Sequence, residues 1–231
     1  MKKAVFFDLN KTLIDYYPSR EQMEQKELTK MGHQLSIDAI NQAFIKADEY
    51  FYNECARKPL IERTKEEKNE VYYTHQHLVQ QHCGLTPTRQ SVMRIIMCYQ
   101  EQCTSQKVFD DAKETLQILR QKGLTTGLLS NSDDDISPLL QETGLDELLD
   151  IVITSAKYGV TKPDAAIFTM ALREANLKPE EMLYIGDQIE IDMAGAQKAG
   201  VDALLIDRLD FYKETPYHRI NDMRQVLDYL N

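Results

Sequence analysis

The sequence predicts an α/β protein built on a doubly wound parallel sheet, interrupted after its first strand by an all-helical segment. Three observations carry that reading. Lys3 to Phe7 is a short apolar run rich in β-formers, as a strand buried on both faces requires. From Asp110 onward, short apolar runs alternate with amphipathic stretches of helical length. Between the two, from about Tyr16 to Ser105, apolar residues recur at helical spacing and no strand-like alternation persists.

The elements follow in order. The polar middle segment contains Asp38-Ala-Ile-Asn-Gln-Ala-Phe-Ile-Lys-Ala, a charged stretch around Glu62 to Glu70, and Val92-Met-Arg-Ile-Ile-Met. Asp111 to Lys122 then reads as an amphipathic helix stopped by Gly123. Leu124 to Leu129 is a strand, and Asp134 to Glu142 a helix closed by Gly144. Ile151 to Thr154 is a strand, followed by a helix from about Asp164 to Ala175. Met182 to Ile185 is a strand, Asp192 to Ala199 a helix ended by Gly200, and Ala203 to Ile206 a strand. Arg219 to Leu230 is expected to close the chain as a helix. Strands separated by such helices imply right-handed crossovers and a sheet covered on both faces. The expected division is a core of residues 1–15 and 106–231 around a helical insertion of residues 16–105.

Length and charge narrow the function. At 231 residues the chain suits one α/β domain plus an insertion and buries a core without disulfides. A formal net charge of -10 argues against nucleic acid or an anionic membrane as partner, since both reward clustered Lys and Arg. The first apolar run stops at Asp8, too early for a signal-peptide core, and no other run reaches spanning length. Cys55, Cys83, Cys98 and Cys103 show no C-x-x-C spacing. Reduced thiols in a cytoplasmic protein, monomer or homodimer, are the expectation.

In such a sheet, ligands bind beyond the carboxyl ends of the strands, near the point where strand order reverses. The first strand ends in Asp8-Leu9-Asn10-Lys11-Thr12 and the second in Ser130-Asn131-Ser132. Lys162-Pro163 follows the third, and Gly186-Asp187 through Asp192 follows the fourth. This set, in this order, resembles the haloacid dehalogenase superfamily over most of the chain. The first motif there is D-x-D-x-T, matched by Asp8, Asn10 and Thr12 with one departure. Ser130, Lys162, and the Gly-Asp motif of Asp187 and Asp192 match the rest. The helical insertion looks like that family's cap domain, and the core is then Rossmann-like.

The resemblance implies a hydrolase of a small phosphorylated substrate. Asp8 would attack phosphorus to form an aspartyl-phosphate that water then cleaves. Mg²⁺, held by Asp8 and Asp187 with Asp192 near and the backbone carbonyl of Asn10 as a further ligand, would cancel the repulsion between carboxylate and phosphate. Lys162, Ser130, Asn131 and Thr12 are the expected phosphate-binding groups, Lys162 also holding Asp8 ionised.

Asn10 is the departure. Family phosphatases carry an Asp there to protonate the leaving alkoxide and later deprotonate water, and an amide does neither. That help is typically worth roughly 10²–10⁴-fold. Four outcomes stay open: a slow phosphatase, one confined to good leaving groups such as acyl phosphates, one that stalls at the aspartyl-phosphate, or a variant made to trap a complex. The rivals are a 2-haloacid dehalogenase, against which Asp187 and Asp192 speak, phosphonate cleavage, for which no cap lysine stands out, and a binding protein that has lost its acid.

Plainer readings apply elsewhere. His75, His77 and His82 are expected on a solvated helix face, lacking partners at zinc spacing. Asp133-Asp134-Asp135 is expected to cap the helix after the second strand. Tyr16, Tyr17 and Arg20 stand just past the nucleophile, for packing or substrate contact.

Overall fold

The computed structural model describes residues 1–102, 105–132, 135–210 and 212–230. The chain divides into two compact units, Met1–Asp15 with Lys107–Asn231, and Tyr16–Gln106.

The first unit is built on a six-stranded sheet. Its strands are β1 (Ala4–Phe7), β4 (Thr125–Ser130), β5 (Ile151–Thr154), β6 (Met182–Gly186), β7 (Asp202–Ile206) and β8 (Arg219–Ile220), in the order β5-β4-β1-β6-β7-β8. Every neighbouring pair is parallel. The order runs outward in both directions from β1, so it reverses between β1 and β6, the crevice where doubly wound sheets bind ligands. Ile14–Tyr16 (β2) and Gln106–Val108 (β3) pair as a separate two-stranded sheet.

Alternation along β1 explains its unbroken apolar sequence. Val5 and Phe7 join one core with Leu116 and Leu119 of α5 (Asp110–Gln121) and Leu140 of α6 (Ser137–Thr143). Ala4 and Phe6 join the other, with Ile167, Phe168 and Ala171 of α8 (Ala165–Glu174) and Ala196 of α9 (Ala194–Lys198). The short helix α7 (Ser155–Tyr158), capped by Thr154, was not evident in the sequence.

The chain end corrects the sequence reading. Arg219 to Leu230 is not one helix: Arg219–Ile220 pairs with β7, and after Asp222 the chain turns as a 3-10 helix over Met223–Tyr229. Asp222 accepts from Arg224 N–H at 2.9 Å and starts that turn where a longer helix was expected. The helix expected from Asp192 begins instead with a π-helical turn, Ile189–Met193, before α9.

The second unit comprises α1 (Arg20–Lys30), α2 (Ile37–Arg57), a 3-10 turn (Leu60–Glu62), α3 (Lys65–His82) and α4 (Arg89–Gln102). Leu28, Ile40, Phe44, Val79 and Ile95 form its core. Ser19 and Thr64 start α1 and α3 with capping boxes. His75 is not on a solvated face as expected. Its Nε2 lies 2.9 Å from Asp48 Oδ1, and its ring packs against Phe44 and Phe51. Arg20 forks onto Asp48 at 2.8 and 2.7 Å and lies over the Phe44 ring, so its charge is spent inside this unit. Tyr16 and Tyr17 are exposed. Cys55, Cys83 and Cys98 are free thiols, and Cys103 lies outside the described residues. Among the described residues, no helix is long and apolar enough to cross a membrane.

Candidate active site

The residues that follow β1, β4 and β6, with the loop after α7, converge at one end of the sheet. Asp8 directly follows β1, its N–H still held by the Ile185 carbonyl at 2.8 Å. The chain then folds back tightly: Leu13 and Ile14 N–H both return to the Leu9 carbonyl, and Lys11 adopts a left-handed φ of 59°. Thr12 is buried, and its Oγ1 has no partner among the described residues. Its carbonyl accepts from Arg208 at 2.9 Å, which ties the loop to the segment after β7. Asn10 is exposed.

Lys162 is the hub. Only 2% exposed, its ammonium donates to Asp8 Oδ1 at 2.5 Å, Asp192 Oδ1 at 2.8 Å and Tyr184 Oη at 3.0 Å. Its backbone is held as firmly. Asn131 Nδ2 donates to the Lys162 carbonyl at 2.9 Å, and Asn131 Oδ1 accepts from the Lys162 N–H at 2.8 Å. The side-chain amide of Asn131 is thereby engaged with Lys162. Ser130 is buried at the end of β4. Beyond it, the Ser132 N–H donates to Ser155 Oγ at 2.8 Å, and that hydroxyl returns a bond to the Ser132 carbonyl.

Asp192 rides on the π-helical turn after β6, a widening of the helix that is frequent at functional sites. It is fully buried, accepting from Lys162 and from Tyr184 (2.7 Å) on Oδ1 and from the Gln188 N–H (3.1 Å) on Oδ2. Tyr184 carries no sequence signal of its own, since it sits inside a strand whose five residues are all buried. Of the Asp133–Asp135 run, Asp135 Oδ1 accepts from the Ser137 N–H and hydroxyl at the start of α6, and the other two lie outside the described residues.

The charges are unbalanced. Burial pushes Asp8 up to about 6; Lys162 opposes the shift and Asp192 adds to it. Asp187 rises well above the usual carboxylate range through burial and through repulsion by Asp8 and Asp192. Burial works against the Lys162 ammonium, yet Asp192 and Asp8 outweigh it and hold it above its ordinary value. One oxygen each of Asp8, Asp187 and Asp192 lies within 4.8 Å of the others. Asp187 Oδ1 is shut off from solvent without a hydrogen-bond partner among the described residues. Hard oxygen donors at this spacing, one of them orphaned and its charged form destabilised, fit a small divalent cation such as Mg²⁺.

Comparison with known proteins agrees with this geometry. A family model described as haloacid dehalogenase-like hydrolase matches residues 2–200. The glyceraldehyde 3-phosphate phosphatase of Methanopyrus kandleri is 28% identical, over 99% of this chain and 97% of that one. The ribulose-1,5-bisphosphate 5-phosphatase of Halopiger xanaduensis is 27% identical, over 90% of this chain and 85% of that one. A solved structure of the HAD-hydrolase YfnB from Bacillus subtilis, bound to magnesium, superposes with a TM-score of 0.68 at 18% identity, covering 100% of this chain and 99% of that one. At that identity the likeness speaks for the fold.

Proposed function

The chain belongs to the haloacid dehalogenase-like hydrolases, and on that premise we propose that it is a phosphatase of small phosphorylated metabolites that works through an aspartyl-phosphate on Asp8. One observation carries the reading: Asp8 and Asp187 flank the reversal point of the sheet beside a buried Lys162, with one oxygen of each within 4.8 Å of the other and of Asp192. A dehalogenase attacking an uncharged carbon has no need of that acidic pair. The named phosphatase relatives support the same reading.

Asp8 and Asp187, with Asp192 beside them, would hold Mg²⁺, which supplies charge neutralisation and polarises the phosphoryl group. An oxygen of Asp8 forms the new bond to phosphorus as the bond to the leaving oxygen breaks, and the leaving group departs with the electron pair. Lys162, released from Asp8 as that carboxylate becomes an acyl phosphate, donates to the transferring oxygens. Water then attacks phosphorus, the bond to Asp8 breaks, the carboxylate is regenerated, and the protons of the water leave on the released phosphate.

Asn10 cannot give or take a proton in either half. An alkoxide leaving group therefore departs without help, whereas the carboxylate released from an acyl phosphate needs none. We therefore assign acyl phosphates, and phosphate esters with stable leaving anions, as the preferred substrates. The site sits in a chain of net charge -10, so the partner is a small molecule and not nucleic acid or membrane.

The test is phosphate release with and without Mg²⁺ from acetyl phosphate, p-nitrophenyl phosphate and common sugar phosphates. Asp8→Asn serves as the blank. Mg²⁺-dependent release that ranks acetyl phosphate first supports the reading. No release from any compound would give the lead to a binding protein.

A further inference from the structure

We propose that the phenol of Tyr184 is a positioning residue of the active site, fixing the rear of the Lys162 ammonium so that its remaining N–H faces Asp8 and the transferring phosphoryl oxygens. This deepens the phosphatase reading and rests on it.

An ammonium group has three donors. Lys162 spends one on Asp8 Oδ1 (2.5 Å), one on Asp192 Oδ1 (2.8 Å) and one on Tyr184 Oη (3.0 Å). The Tyr184 hydroxyl spends its own proton on Asp192 Oδ1 at 2.7 Å. Lys162, Tyr184 and Asp192 therefore form a closed triangle in which each pair is hydrogen-bonded. Asp192 Oδ1 is filled by two donors, and its Oδ2 takes the Gln188 N–H at 3.1 Å. All three residues are buried, so water does not replace a lost member.

The phenol does what a carboxylate would not. A third acid behind Lys162 would compete with Asp8 and with the phosphate for its charge. A neutral oxygen accepts the N–H and leaves the charge directed forward. A phenol is neutral at ordinary pH, and its O–H lies 2.7 Å from Asp192 Oδ1, to which it donates. The ring is fixed independently, edge-on to Phe168 at 5.0 Å. That separation of ring from hydroxyl makes the proposal testable.

Tyr184→Phe keeps the ring and removes the triangle. With acetyl phosphate or p-nitrophenyl phosphate, kcat should fall about tenfold or more, the effect of losing a hydrogen bond to a charged group. KM and the Mg²⁺ dissociation constant from calorimetry should stay within about twofold. Phe168→Leu should lower Tm while leaving kcat near the parent value, because the phenol remains. Parent kcat in Tyr184→Phe, or an equal loss in Phe168→Leu, overturns the proposal.

A parent chain that hydrolyses nothing would end the phosphatase reading by itself. The triangle would then be read from the exchange rate of the Lys162 ammonium protons by ¹⁵N-resolved NMR. Exchange at least about tenfold faster in Tyr184→Phe upholds the positioning role, on the same hydrogen-bond scale. Unchanged exchange overturns it.

Discussion

Gly186 and Asp192 occupy each other's space: a Cβ at residue 186 would lie 2.4 Å from Cγ of Asp192 and 2.5 Å from its Oδ2. The glycine is thus required by the carboxylate that packs on it. Gly186→Ala should push Asp192 off Lys162, costing about 1–3 kcal/mol as overpacking in a filled core does. At this size that is a Tm loss of several degrees, roughly 2–4 °C per kcal/mol. Activity should drop with it by about tenfold or more, since a charge-assisted hydrogen bond is lost. A variant with parent Tm and parent kcat would show that Asp192 has room to move.

Asn10→Asp restores a proton donor and acceptor at the second position after Asp8. With sugar phosphates and other poor leaving groups, kcat/KM should rise by about 10²–10⁴-fold, the usual worth of general acid–base help. With acetyl phosphate the gain in the first half-reaction should be far smaller, because the departing carboxylate needs no proton. Single-turnover kinetics on both substrates checks this. An equal gain on both would place the limit of residue 10 elsewhere.

The repulsion among Asp8, Asp187 and Asp192 gives metal a measurable hold on stability. Mg²⁺ at about a hundred times its dissociation constant should stabilise the fold by about 2.7 kcal/mol. Asp187→Asn should melt higher than the parent without metal, since one of the repelling charges is gone. It should also lose most of the Mg²⁺-dependent rise. A rise of equal size in both proteins would mean that the cation binds elsewhere.

Glu24 gives the helical unit a pH dependence of its own. It is fully buried with neutral donors, Gln76 at 2.9 and 3.0 Å and Tyr99 at 2.7 Å. Burial raises it from 4.5 to about 7 against the pull of Tyr99, Gln76 and Arg20, with Glu21 adding slightly. A raised folded pKa means the stabilisation from proton binding is complete below about 4.5 and is lost as pH rises through about 7. Glu24→Gln, the neutral counterpart, should therefore gain on the parent as pH rises from about 5.5 to about 8, by on the order of 1–3 kcal/mol. Thermal unfolding across that range reads it. A difference that does not change with pH would contradict the assignment.

The strands of the sheet were legible because central parallel strands bury both faces and read as unbroken apolar runs, as Ala4–Phe7 and Met182–Ile185 do. The strand ends then pointed to Asp8, Lys162, Asp187 and Asp192, which the structure brings together. The chain end misled for a physical reason. Met223 and Val226 recur every three residues, a spacing that a 3-10 helix satisfies as well as an α-helix. A two-residue edge strand such as Arg219–Ile220 is too short to show alternation. His75 misled because its partner Asp48 stands on another helix, 27 positions away. Tyr184 stayed hidden for the opposite reason. In a run where every residue is buried, nothing local distinguishes a tyrosine that only fills space from one whose hydroxyl meets a lysine.

The most direct test of the central claim is mass spectrometry of the peptide carrying Asp8, after acid quenching during turnover of acetyl phosphate with Mg²⁺. The first half-reaction needs no proton from residue 10, whereas the second lacks its base, so the phosphorylated enzyme should accumulate. One phosphoryl group should appear on Asp8, absent in Asp8→Asn and cleared much faster in Asn10→Asp. Steady release of phosphate with Asp8 never labelled, and retained in Asp8→Asn, would contradict it.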